Sequence, residues 1–206
     1  MPRTVFTLGC LLCCCFLAPF SASAAPLVLQ DKEAGYAITF PDGWETAPVE
    51  MLGYVTDETA EGLGIADPDA GKTQGATFMD QKSGEFKMYV ITAFSLESLD
   101  AASRDRFKAA ARGDARTLNK IKTDMEEAAA GMGTAVLDSA LVENGYCQSS
   151  AYKEAGLPAG QALFQRTCVR FGGTHALISV GMYPGPESEK FDKNFQDIID
   201  TIRIGR

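Results

Sequence analysis

Two cysteines constrain what this chain can fold into more than any other feature. Residues 145–154 and 161–171 read as strands, joined by a turn around Ala155-Gly156-Leu157-Pro158-Ala159-Gly160. A symmetric hairpin about that turn pairs residues whose numbers sum to about 315, and Cys147 and Cys168 do. They are expected to face each other within reach of a disulfide, provided the pair is of the narrow, non-hydrogen-bonded kind. Closing a loop of this size stabilises a fold by roughly 3 kcal/mol. A redox pair is the functional alternative, but it would want Cys-x-x-Cys spacing, which is absent.

A disulfide needs an oxidising compartment, and the N-terminus points to one. Arg3 precedes an apolar run over 5–20 and the small-residue stretch Ser21-Ala22-Ser23-Ala24-Ala25, the order of a secretory signal cleaved after Ala24. A lipoprotein signal would want Leu three residues before the acylated cysteine. Thr7 stands there for Cys10, and Cys10 for Cys13. An uncleaved anchor is the other alternative, although the run is shorter than the roughly 20 apolar residues a span needs. Cleavage removes four of the six cysteines and leaves residues 25–206 as one domain, periplasmic or secreted. The chain carries a net charge of −8, and losing Arg3 makes it one unit more acidic. Nucleic-acid binding is therefore not expected.

Along the rest of the chain, 27–30, 36–40, 76–81, 86–94, 135–142 and 174–183 read as further strands. The acidic, Gly-bearing stretch 57–64 and the segment 67–75 read as loop, and Pro184-Gly185-Pro186 as the end of the last strand. About Gly172-Gly173, one face carries Phe171, Val169, Thr167, Ala176, Ile178 and Val180 and is core. The other carries Arg170, Cys168, Arg166, His175, Leu177 and Ser179 and is expected to be exposed or only partly covered. Between 100 and 131 the period changes. Phe107, Ala111, Leu118, Ile121, Met125, Ala128 and Met132 recur at helical steps, with Asp100 or Ser103 as cap and Gly131 or Gly133 at the end. One rod of that length would span about 48 Å, against a globule about 40 Å across. A break is expected near Gly113-Asp114. A closing helix over 187–202 buries Phe191, Phe195, Ile198, Ile199 and Ile202, with Glu187 and Glu189 in its first turn. The fold class is α+β: an antiparallel sheet of about six to eight strands with helices packed on it.

The motif Tyr36-x-Ile38-x-Phe40-Pro41-x-Gly43-Trp44, together with Phe191-x3-Phe195-x2-Ile198-Ile199-x2-Ile202, resembles the PsbP-like/DcrB-like superfamily. The resemblance implies helices on both faces of the antiparallel sheet. It also implies action by binding, to a photosystem, a GTPase or envelope components, with no shared catalytic residues.

The motifs that could carry chemistry are weak. Ala66-Asp67-Pro68-Asp69-Ala70-Gly71-Lys72-Thr73 fits a loose phosphate-loop pattern, but two Asp repel phosphate, and residues 74–78 read as turn and strand where a helix is needed. His175 is the sole histidine, so a zinc site lacks partners, and no Gly-x-Ser-x-Gly elbow supports a hydrolase. Asp57, Glu58, Glu61, Asp67 and Asp69 lack the spacing and distal Glu of a calcium loop. No cofactor or metal is expected. The least ordinary feature is basic. Arg104, Lys108, Arg112, Arg116 and Lys120 step by four, with Arg106 and Lys122 beside them. Bases early and Glu126-Glu127 late run against the helix dipole. Two readings stand: a docking face for an acidic partner or anionic headgroups, or a solvated face paired with the acidic remainder of the fold. A non-enzymatic exported binding or accessory protein of the envelope is the expected function. The runner-up is a small-molecule or lipid carrier with a pocket lined by Trp44, Phe107 and Met125, and the third is a hydrolase using His175.

Overall fold

The computed structural model describes residues 26–48, 52–131, 134–153, 157–186, 191–200 and 202. The expected leader (1–24), Glu187, Glu189, Met132 and Gly133 lie outside these residues. The described residues begin with a hairpin of β1 (Val28–Asp31) and β2 (Tyr36–Thr39), then β3 (Trp44–Thr46) and α1 (Gly53–Gly62). A 3-10 turn at Pro68–Ala70 leads into β4 (Lys72–Asp80) and β5 (Glu85–Ser95). A second 3-10 turn, Leu96–Ser98, leads into α2 (Ala101–Ala111) and α3 (Ala115–Gly131). Four strands come next, β6 (Ala135–Val142), β7 (Gly145–Tyr152), β8 (Gln161–Phe171) and β9 (His175–Pro186), and then α4 (Lys193–Asp200). Strands β3 to β9 form one seven-stranded antiparallel sheet in the order β3-β4-β5-β9-β8-β7-β6, while among the described residues β1 and β2 pair only with each other.

The hairpin register is the expected one. Cys147 lies opposite Cys168, their Cα atoms are 4.1 Å apart and they are bonded. That separation marks the narrow pair. The long helical region breaks where the length argument requires. Arg112 caps α2, Gly113 turns the chain at φ +77°, and Asp114 starts α3 by accepting the Thr117 N–H at 2.7 Å. Asp100 caps α2, accepting from the N–H groups of Ala102 and Ser103.

Alternation along the central strands splits the interior into two layers. Met88, Val90 and Phe94 of β5, Ala176, Ile178 and Val180 of β9, and Val169 and Phe171 of β8 pack against α1, α2 and α3. Tyr89, Ile91, Phe164, Cys168 and Leu177 face the opposite way. They are covered by Leu29, Tyr36, Ile38 and Phe40 of the β1–β2 segment and by Phe195 and Ile199 of α4.

This second layer corrects the expectation that the polar face of β8 and β9 is exposed. Arg166, Arg170, His175 and Ser179 are all buried beneath the hairpin and α4. Arg166 meets the cost of burial in part by donating to Ser149 Oγ at 2.8 Å.

Other expectations change at the edges of elements. Residues 57–62 are not a loop: α1 runs to Gly62 and, with its caps Leu52 and Leu63, buries Leu52, Val55, Thr56, Ala60 and Leu63, a helical spacing masked in sequence by Asp57 and Glu61. Residues 67–75 are loop only as far as Gly71, since Lys72 to Gly75 pair with β5. Trp44 opens β3, opposite Phe78 of β4, a strand absent from those read in the sequence. Pro184 and Pro186 do not stop β9. Past Met182 that strand has lost β5 and pairs with β8 alone, so a missing N–H on the open side breaks no ladder. The closing helix begins at Lys193, where Asp192 accepts the Asn194 N–H at 2.8 Å.

Candidate functional site

The expected row of bases does not lie along one helix, because the turn at Gly113 divides it. Arg104 is turned inward as a structural clasp. Its Nε donates to Leu96 O at 3.0 Å and its Nη2 to Leu99 O at 2.7 Å, holding the 3-10 turn against α2. Arg106 donates to Asp124 Oδ2 of α3 at 2.5 Å, and Lys120 reaches the other oxygen of Asp124 at 3.0 Å. Lys122 lies 3.8 Å from Glu126. Lys108, Arg112 and Arg116 remain exposed at the α2–α3 joint, with no ion pair among the described residues. The fold thus consumes four of the seven bases and leaves three together on one surface. Asp114, between them, is held below the usual carboxylate range by hydrogen bonds from the Thr117 side chain and backbone, with Arg116 and Arg112 adding to the effect. Its charge serves the cap of α3.

His175 lies at the start of β9, opposite Ser95 in register. It lines a cleft of about 270 Å³ with Glu33, Ser95, Glu97, Lys108 and Thr174. Its Nδ1 is 3.0 Å from Thr174 Oγ1. Among the described residues no carboxylate hydrogen-bonds the imidazole, and Ser95 Oγ accepts the Glu97 N–H as a cap. Glu33 is bonded to Lys72 at 2.5 Å, and that bond holds its carboxyl low. The cleft is built from four separated segments, so no local sequence signal announces it.

The remaining candidates resolve as packing or turn. Trp44 contacts Phe40, Phe78 and Phe195 in the layer below the hairpin. Phe107 and Met125 are buried on the opposite side of the sheet, so the three do not line one pocket. Tyr36 and Phe40 are buried, Pro41 is exposed, and Gly43 takes φ +90° where only glycine is at ease. Lys72 and Thr73 open a strand, so no helix follows to complete a phosphate loop. Asp57 is pushed up by its burial and then by the charges of Asp69 and Glu61. Among the described residues no group of three or more His, Cys, Asp or Glu side chains is placed to hold a metal, and no helix is long and apolar enough to cross a membrane.

These features define an α+β protein, an antiparallel sheet with three helices on one face and a hairpin and helix on the other. No protein-family model and no curated protein matches the chain. Among solved structures it is similar to LpqN, a protein involved in cell envelope biogenesis of Mycobacterium tuberculosis. The identity is 10% and the TM-score 0.39, over 85% of this chain and 86% of that one.

Proposed function

We propose that this chain is a non-enzymatic exported binding or accessory protein of the bacterial envelope, of PsbP-like/DcrB-like type, which docks an anionic partner through Lys108, Arg112 and Arg116. One observation carries the reading: three exposed, unpaired cations sit together at a helix joint in a chain of net charge −8. A face whose charges pair with the acidic remainder of the fold would have these three paired off, as Arg106, Lys120 and Lys122 are. The buried disulfide suits export, and the resemblance of the 36–44 motif suits a protein that works by binding. A carrier with its ligand between sheet and helices is less favoured, since Phe107 and Met125 fill that space as core.

Each basic residue at an anionic surface contributes about 1 kcal/mol, so reversing two lowers affinity at least roughly 30-fold. The test is a crosslinking pulldown from intact envelopes with wild type and Arg112→Glu/Arg116→Glu. Loss of the captured species in the variant supports docking; identical capture overturns it. A panel of ester and phosphate substrates with His175→Ala addresses the enzymatic alternative. Turnover that the substitution abolishes would replace this reading.

A further inference from the structure

The cleft beside His175 is lined by charges of both signs that do not meet. Lys108, from α2, and Glu97, from the 3-10 turn before it, both line the cleft and are both exposed. No ion pair or hydrogen bond joins their charged groups to each other or to any other described residue. Glu33, the other acid of the cleft, is already held by Lys72. The uncommitted charges of the cleft are thus one cation and one anion.

Two further groups there have hydrogen bonds to give. His175 is 8% exposed. Its Nδ1 is taken up by Thr174 Oγ1, 3.0 Å away, and its Nε2 makes no hydrogen bond among the described residues. Nε2 is not sealed from solvent, and the ring lines this cleft. When the Thr174 hydroxyl donates to Nδ1, the ring proton sits on Nε2, which then donates in its turn. Ser95 Oγ accepts the Glu97 N–H at 3.3 Å, and its own hydrogen finds no acceptor among the described residues.

We propose that this cleft binds a phosphoethanolamine group, with its phosphate oxygens on Lys108, His175 and Ser95 and its ammonium on Glu97. A plain anion entering the cleft would meet Glu97, and a plain cation Lys108; like charges brought together are costly. A ligand with one charge of each sign, separated by a short linker, satisfies both. A lysine with separate neutral donors, and no arginine fork among the lining residues, suits the tetrahedral oxygens of a phosphoester better than a planar carboxylate. The volume of about 270 Å³ is that of roughly nine waters and falls just under the range of drug-sized sites, so it admits a headgroup-sized molecule. The group comes either as a free phosphodiester or as the headgroup of a membrane lipid. This site goes beyond the docking of an anionic partner, although Lys108 serves both. Docking is read through Arg112 and Arg116 on anionic surfaces, and the cleft through Glu97 and a ligand of no net charge, so either fails without the other.

Isothermal titration calorimetry of the full chain with glycerophosphoethanolamine, glycerophosphocholine and glycerophosphoglycerol tests this. The three share a phosphodiester and differ beyond it, in a primary ammonium, a quaternary ammonium that cannot donate to Glu97, and neutral hydroxyls. Wild type is expected to bind the first at least roughly tenfold tighter than the other two, the worth of one charge-assisted hydrogen bond. Glu97→Gln, at an exposed position, is expected to erase that preference, and Lys108→Gln to weaken all three probes at least roughly tenfold. Vesicles of phosphatidylcholine with and without phosphatidylethanolamine separate the sources. Retention on the mixed vesicles alone, together with binding of the soluble probe, identifies a lipid headgroup; binding of the soluble probe without retention identifies a free solute. No binding of glycerophosphoethanolamine overturns the proposal, as does equal binding of the three probes or a preference that survives in Glu97→Gln.

Discussion

Asp124 of α3 holds Arg106 of α2 at 2.5 Å across the Gly113 turn, and the same carboxylate takes Lys120 on its other oxygen. One acid thus ties the two helices together and decides which bases remain outside. Both partners are partly buried, so the bond is stronger than an exposed pair. Asp124→Ala is expected to cost about 1–2 kcal/mol in urea denaturation. It also releases Arg106 and Lys120, so anionic binding should strengthen while stability falls. A variant that loses both would show that the pair serves folding alone.

The disulfide should act as a sealed staple. Both sulfurs belong to fully buried residues, so reductant and alkylating agent should leave them untouched until denaturant is added. Cys147→Ser/Cys168→Ser is expected to lower stability by roughly 3 kcal/mol. Rapid alkylation of the native protein under reductant would contradict this burial.

Two glycines report on two different constraints. At Gly113 an added Cβ would meet only Asn144 Oδ1, at an ordinary contact distance of 3.8 Å, but φ is +77°, so Gly113→Ala should cost about 1 kcal/mol through backbone strain. At Gly181 an added Cβ would collide with Ile199 and with the Phe195 ring. Gly181→Ala should therefore lift α4 off the sheet, at a cost of about 1–3 kcal/mol. Amide exchange should rise in α4 for Gly181→Ala and at the α2–α3 joint for Gly113→Ala.

Acid should loosen the helix starts first. Asp100 is held below its ordinary value by hydrogen bonds from the Ser103 side chain and backbone, and Asp114 by those from Thr117. At Asp192 burial pushes upward, but the bonds from Lys87 and the Asn194 N–H outweigh it. For each, the unfolded chain binds protons more readily than the folded one. Their stabilisation is present above the unfolded value near 4 and is lost as pH falls through the lower folded values. The urea midpoint should fall between pH 5 and pH 2; an unchanged midpoint would contradict these caps.

Where sequence reading succeeded, the signal was local. The Cys147–Cys168 register, the Gly113 break and a cap at Asp100 or Ser103, which the structure gives to Asp100, each follow from spacing or from the length of one segment. It failed where the deciding residues lie far apart in the chain. The polar run Arg166, Arg170, His175 and Ser179 looks solvent-facing until Tyr36, Ile38 and Phe40 from the first strands and Phe195 from the last helix are laid over it. α1 was hidden because Asp57 and Glu61 outweigh Val55, Ala60 and Leu63 in composition, although not in spacing. Arg104 could not be distinguished from Lys108 in sequence. Its inward turn depends on the carbonyls that the 3-10 turn at Leu96–Ser98 presents.

If the three bases left over at the α2–α3 joint bind something negative, a titration will register it. The protein would be titrated with vesicles of anionic phospholipid, and separately with solubilised envelope extract, at low and high salt. Wild type and Arg112→Glu/Arg116→Glu would be compared throughout. Binding of wild type to one of the two that weakens with salt, and falls at least roughly 30-fold in the variant, is the predicted result. Equal binding by the two proteins, or none by either, would contradict it.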